Sequence, residues 1–92
     1  MENKELFVLT EERNWAGNEE YFDVLGVYDT KEQAEMVLAE IKGNFLREEK
    51  DVIDRIPQSQ RDITDNPKHY QFLDEGMGYY YELSICKRTL NK

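Results

Sequence analysis

The sequence predicts an α+β domain in which one or two helices pack on a small antiparallel or mixed sheet of about three to four strands. Three observations indicate this class: two short apolar runs near the start, a segment with helical periodicity in the middle, and an alternating tyrosine-rich run near the end. Because these elements follow in β-β-α-β order, we expect the helix to cover one face of the sheet. The chain fits one domain, residues 1–92, with one modest core.

The two apolar runs predict the first two strands, Leu6–Leu9 and Tyr21–Tyr28. The polar segment between them contains Gly17 and Asn18 and suits a long hairpin, so we expect antiparallel pairing. The second strand is apolar on both faces. Strict alternation places Tyr21, Leu25 and Val27 on one face and Phe22, Val24 and Tyr28 on the other. Since one helix covers only one face, we expect either residues 45–56 or a second subunit to cover the other.

A helix is predicted to begin after Asp29 or Thr30, because either side chain can accept backbone N–H groups as an N-cap. Gly43 weakens the helix, but the apolar spacing continues beyond it, so the segment forms one bent helix or two helices. Pro57 ends the pattern in both cases. The apolar stripe of this helix consists of Ala34, Val37, Leu38, Ile41 and Phe45.

The rest of the chain predicts a loop, a turn and a last strand. Residues 57–68 contain both prolines and many turn formers, which is typical of a long loop, and residues 69–73 can add a short strand. Asp74–Gly78 has the composition of a turn. Tyr79–Leu90 alternates as a strand does, and we expect it to lie antiparallel beside the first strand, in the order 2-1-3.

The net charge of −8 is concentrated near the start of the chain, where residues 1–30 carry eight acidic and two basic side chains. An acidic field repels phosphate backbones and attracts basic proteins. The sequence therefore disfavours direct nucleic-acid binding and is compatible with a basic protein partner. The simpler interpretation of the charge is that it maintains solubility.

The sequence predicts a cytoplasmic protein that is not bound to a membrane. The longest apolar run, Leu6–Leu9, is far shorter than the ~20 residues that span a bilayer, and no pattern of a signal peptide opens the chain. Cys86 is the only cysteine, so the chain cannot form an internal disulfide.

The run VLGVYDTKEQAEMVLAEI, Val24–Ile41, resembles a pattern of small uncharacterised bacterial and phage proteins with β-β-α-β order. In that pattern a strand ending in Gly-Val-Tyr or Gly-Val-Phe passes through a capping residue into a helix, and a tyrosine-rich strand closes the chain. The match covers Leu6–Val8, Val24–Ile41 and Tyr80–Leu90. The resemblance implies the fold and a family of unknown function, and it identifies no site.

No catalytic or metal-binding constellation is visible in the sequence, and no cofactor is predicted. Cys86 and His69 form the one available Cys/His pair, and no third, orienting group stands at a recognisable position. Asp62, Asp65 and His69 can approach one another, but such a group beside two prolines is more typical of a solvated turn. We therefore predict that the protein is not an enzyme. A pocket converging on His69 and Cys86 would favour the opposite.

The acidic segment Glu11–Glu20 contains Trp15, the only tryptophan. Tryptophan is a frequent anchor of protein interfaces, and neighbouring glutamates would steer a basic partner; a Trp folded back over the sheet edge is the alternative. The predicted interface residues are Trp15, Glu12, Glu19, Glu20, Tyr28 and Tyr80. We therefore predict that the protein is a small acidic protein-interaction module that forms a homodimer through its sheet. A specific version is an accessory protein of a phage or mobile element; the alternatives are a small enzyme or a structural subunit of a larger assembly.

Overall fold

A computed structural model describes residues 3–14, 20–76 and 78–91, without the side chains of Asn3, Leu90 and Asn91. Every strand pairing in it is antiparallel, and the single sheet has the strand order β2-β1-β5-β4-β3. The last strand lies beside the first, as expected. In chain order the elements are β1 (Asn3–Asn14), β2 (Tyr21–Tyr28), α1 (Lys31–Glu48), α2 (Lys50–Arg55), a 3-10 turn (Gln58–Gln60), β3 (Arg61–Asn66), β4 (His69–Asp74) and β5 (Tyr80–Asn91).

The predicted β-β-α-β sheet of three to four strands is wrong, because the described residues form five strands. The additional strand is β3, which lies in the segment 57–68 that we predicted to be a loop. It forms a hairpin with β4, and Asn66 Oδ1 accepts the Lys68 N–H at 3.1 Å in the turn. β3 is an edge strand with nearly all of its side chains exposed. Its sequence, RDITDN, therefore lacks the apolar alternation by which buried strands are recognised.

Two helices follow β2, and the break between them lies at Glu49 instead of Gly43. Thr30 caps α1 as predicted, since its hydroxyl oxygen accepts the Gln33 N–H at 3.1 Å. Gly43 lies within α1, and the Glu49 N–H donates to the Phe45 carbonyl at 2.9 Å to close the last turn. α2 ends at Arg55, and the next residue, Ile56, has the extended backbone that Pro57 imposes on its predecessor.

Both helices pack on the same face of the sheet, which we call the covered face. Phe45 of α1 and Ile53 of α2 belong to one buried cluster with the inward side chains of β1, β4 and β5. Residues 45–56 therefore do not cover the second face of the sheet. The buried cluster consists of Leu9, Leu38, Phe45, Ile53, Ile56, Tyr70, Phe72, Tyr81 and Leu83. No helix among the described residues is long and apolar enough to span a bilayer.

A polar group is buried within the covered face next to this cluster. The carboxylate of Glu11 accepts hydrogen bonds from the hydroxyls of Tyr81 and Tyr21, the first at 2.5 Å. The guanidinium of Arg13 lies 3.8 Å from the same carboxylate and 4.9 Å from the centre of the Tyr81 ring. Two donors and a nearby cation satisfy this buried charge, which would otherwise be costly.

A β-bulge in β2 changes which side chains share a face. Leu9 pairs with Gly26 while Thr10 pairs with Val24, so Leu25 is an extra residue in this strand. Val27 therefore pairs with Val8 and Tyr28 with Phe7. The strict alternation that we expected is wrong beyond Leu25, because one inserted residue exchanges the faces of all that follow.

Candidate protein interface

The face of the sheet opposite the helices, which we call the open face, is not covered by any described part of the chain. Strand alternation places on it the residues between the buried ones, such as Val8 beside Leu9 and Glu82 beside Tyr81 and Leu83. The open face includes Lys4, Leu6, Val8, Thr10 and Glu12 of β1, Phe22, Val24 and Val27 of β2, His69 of β4, and Tyr80, Glu82, Ser84, Cys86 and Arg88 of β5.

An apolar patch occupies the β2 side and the centre of the open face. Phe22, Val24 and Val27 are 64%, 51% and 55% exposed, respectively. Leu6 and Val8 of β1 lie beside them and are half-buried, and Cys86 of β5 pairs with Val8 and is exposed. Exposed apolar residues are common one at a time, but a contiguous group on a flat strand surface is typical of a binding site. We call this group the apolar patch.

An acidic cluster lies at one end of the open face and consists of Glu12, His69, Tyr80 and Glu82. Glu12 and Glu82 are directly opposite each other on β1 and β5, and His69 Nε2 lies 2.5 Å from Glu82 Oε2. Two carboxylates facing each other across strands repel. The pKa of the Tyr80 hydroxyl is raised, first because burial removes water from it, then by its hydrogen bond to Glu82 and by the charges of Glu82 and Glu12. This arrangement favours binding of a cationic group.

The other end of the open face is basic. Lys4 of β1 and Arg88 of β5 lie there, beyond the pair formed by Val8 and Cys86. Lys4 forms an exposed salt bridge with Asp29 at 3.2 Å, whereas Arg88 forms no salt bridge with a described residue. The open face thus has an acidic end and a basic end, and the side chains at its centre are apolar or small.

The structure brings together some of the predicted interface residues and separates others. Glu12 and Tyr80 both belong to the acidic cluster. Glu20 is exposed immediately before β2. Tyr28 lies on the covered face and packs against the buried cluster, because the bulge exchanges its face with that of Val27. Trp15 and Glu19 lie outside the described residues.

Sequence reasoning anticipated the open face but not its composition. The apolar character of both faces of β2 indicated that one face would need a cover. Phe22 and Val24 lie on the face that has none, which is the open face. The pairing of His69 with Glu82 was missed because it depends on the register of β4 against β5, which no local pattern specifies.

Metal-ligating groups and cavities are the other features that could form a site among the described residues. No group of three or more His, Cys, Asp or Glu side chains among them is placed to hold a metal ion. Three cavities of about 360, 380 and 330 Å³ are each lined partly by helix residues, and none of the three is lined by His69 or Cys86. No protein-family model, curated protein or solved structure matches this chain significantly. The open face is therefore the best-supported candidate site.

Proposed function

We propose that this protein is a small acidic protein-interaction module whose binding surface is the open face. The observation that supports it most is the exposure of Phe22, Val24 and Val27 in one strand, on the side that neither helix covers. At roughly 25 cal/mol per Å², covering three such side chains is a substantial driving force for association. In the monomer this apolar surface stays in contact with water, which is unfavourable.

The surroundings of the apolar patch indicate the kind of partner. Strand surfaces are flat, so a second flat surface or a helix laid across the strands fits better than a small molecule. The acidic cluster beside the patch favours a partner with a basic group near an apolar surface. The specific version, an accessory protein of a phage or mobile element, is supported only by the sequence pattern of Val24–Ile41.

Charged substitutions in the apolar patch test this proposal. We would compare the wild type with Phe22→Lys and Val24→Lys in affinity capture from lysate of the source cells and in sedimentation of the purified protein. Met36→Lys is the matched control, since Met36 is also apolar and 73% exposed but lies on α1. We expect the β2 variants to lose the bound protein or the self-association, while Met36→Lys retains it.

The proposal is wrong if Phe22→Lys and Val24→Lys bind every partner as well as the wild type does. Trp15→Ala belongs in the same experiment, because it tests the predicted interface in the acidic segment separately. Loss of binding with Trp15→Ala but not with the β2 variants would mean that the acidic segment, and not the open face, is the binding surface. Equal urea denaturation midpoints of all variants would show that lost binding is not a loss of folding.

A further inference from the structure

We propose that the partner of the open face is a second copy of this chain, related to the first by a twofold axis that lies between the two sheets and runs across the strands. This inference rests on the proposed function and names its partner. It follows from the order of charges along the strands, with the acidic cluster at one end and Lys4 and Arg88 at the other.

The direction of the axis follows from electrostatics. A twofold axis along the strands would set the acidic end of one copy over the acidic end of the other, which repels. An axis across the strands reverses their direction and leaves each strand over its own copy. Glu12 and Glu82 of one copy then face Arg88 and Lys4 of the partner, twice in the dimer. Such a surface is self-complementary, as a twofold interface requires.

The centre of the open face suits this arrangement. The axis passes near Val8 and Cys86, which are paired and lie about midway between the two charged ends. The side chains there are small or apolar, so two sheets can approach to the ~10 Å spacing of packed sheets. Val27, which is paired with Val8, lies close to the axis and meets Val27 of the partner, so it loses its exposure to water. Val24 and Phe22, which are paired with Thr10 and Glu12, lie farther toward the acidic end and therefore face the basic end of the partner.

The available area predicts a dimer in equilibrium with monomers. β1 and β5 have 12 residues each, and at ~3.3 Å per residue and ~4.8 Å between strands, these two strands present a flat area on the order of 400 Å², to which β2 adds only the part near Val27. Stable interfaces bury about 800 Å² of accessible surface per partner, and accessible surface exceeds flat area because side chains project. We therefore expect dimerisation to depend on protein concentration.

Charge reversal tests both the partner and the axis. By sedimentation at micromolar to millimolar concentration, we expect the wild type to dimerise and Arg88→Glu and Glu12→Lys each to raise the dissociation constant roughly tenfold or more. A mixture of these two variants should form a heterodimer, because one of its end contacts is that of the wild type and the other brings the two reversed charges together. Arg55→Glu is the control, since Arg55 is an exposed basic residue on α2 at the opposite side of the sheet.

Alkylation of Cys86 gives a second measurement that needs no substitution. Cys86 is exposed in the single chain and lies near the axis of the dimer, so its reaction with a maleimide should slow as the protein concentration rises. A dimer in which Arg88→Glu has no effect and the mixed variants do not associate would overturn the arrangement. A wild type that remains monomeric at every concentration would overturn the second copy as partner. The proposed function would survive that result only if Phe22→Lys still abolishes capture of another protein.

Discussion

The hydroxyl of Tyr81 donates a 2.5 Å hydrogen bond to Oε2 of Glu11 inside the covered face, where the two residues are 0% and 8% exposed. Burial, the hydrogen bond to Glu11 and the charge of Glu11 together raise the pKa of Tyr81, so its hydroxyl remains a donor across the ordinary pH range. The ring of Tyr81 also stacks on Phe45 with centroids 3.8 Å apart. One side chain therefore links β5 to both β1 and α1.

Removing the Tyr81 hydroxyl tests how much this bond stabilises the fold. Tyr81→Phe keeps the stack on Phe45 but leaves Glu11 Oε2 without its buried donor. We expect the free energy of unfolding to fall by about 1–3 kcal/mol, measured by urea denaturation. The double variant Tyr81→Phe/Glu11→Gln should recover part of the loss, because the uncompensated charge is then absent. An unchanged midpoint for Tyr81→Phe would mean that Tyr21 and Arg13 satisfy Glu11 by themselves.

Glycine at position 43 is expected to weaken α1. Gly43 lies inside the helix, and a Cβ there would meet only the end of the flexible Arg47 side chain, at 3.4 Å. We expect Gly43→Ala to raise the free energy of unfolding by about 0.5–1 kcal/mol, because alanine loses less conformational entropy on folding. Thermal unfolding followed by circular dichroism measures the change. A lower melting temperature would show that the helix needs the freedom of glycine at this position.

Replacing glycine by alanine is expected to have the opposite effect on stability at position 78. Gly78 has φ of +77°, and a Cβ added to it would have no heavy atom of the described residues within 4 Å, so the effect of a side chain there is conformational and not a clash. We expect Gly78→Ala to lower the free energy of unfolding by about 1–2 kcal/mol. Gly78→Asn should cost less, because asparagine tolerates this region better. Equal stability of all three proteins in urea would contradict this explanation.

Alkaline pH is expected to destabilise the fold through the buried hydroxyl of Tyr70. Burial, with a contribution from the charge of Asp65, raises the pKa of Tyr70 from 10.0 to about 12. Between those values the unfolded chain loses the proton while the folded chain keeps it, so stability falls as pH rises from about 10 and this contribution is gone above about 12. A shift of two pKa units corresponds to about 2–3 kcal/mol. The drop between pH 10 and 12 should shrink in Tyr70→Phe, measured by urea denaturation at each pH.

The carboxylate of Asp74 is expected to reduce stability. Asp74 is 0% exposed, and Oδ1 accepts the Gly76 N–H at 2.9 Å, while Oδ2 has no hydrogen-bond partner among the described residues. Arg61 pairs with Asp74 in register, but its guanidinium donates to the carbonyls of Ile53 and Ile56. Asp74→Asn keeps an acceptor for Gly76 and removes the buried charge, so we expect it to raise the free energy of unfolding by about 1 kcal/mol. A marked loss of stability would instead indicate that a donor or cation normally binds Oδ2.

The elements that sequence reasoning located are those whose pattern is set by burial. α1 was found because Ala34, Leu38 and Phe45 are buried on one side of it, and β5 because Tyr81 and Leu83 alternate with exposed or half-buried residues. β3 was missed because an exposed edge strand is held by backbone hydrogen bonds to β4, which constrain side chains little.

The candidate interface was only partly predictable for a related reason. Glu12 and Tyr80 were identified individually, but their common position depends on the register of β1 against β5. Tyr28 was assigned to the wrong face because the bulge at Leu25 leaves no mark in an otherwise apolar run. Long-range register and local bulges are determined by the whole sheet, so the local pattern along the chain cannot supply them.

The pairing of β1 with β5 has a consequence for how the nascent chain folds on the ribosome. These two strands are neighbours at the centre of the sheet, yet paired residues such as Thr10 and Ser84 are 74 positions apart. During synthesis α1, α2 and the β3–β4 hairpin can form early, but one edge of β1 stays open until β5 has been translated. Contacts between distant parts of a chain form slowly, and an open strand edge invites pairing with other chains. The pairing of β5 with β1 is therefore the step that closes the exposed edge of β1 and removes it as a site of aggregation.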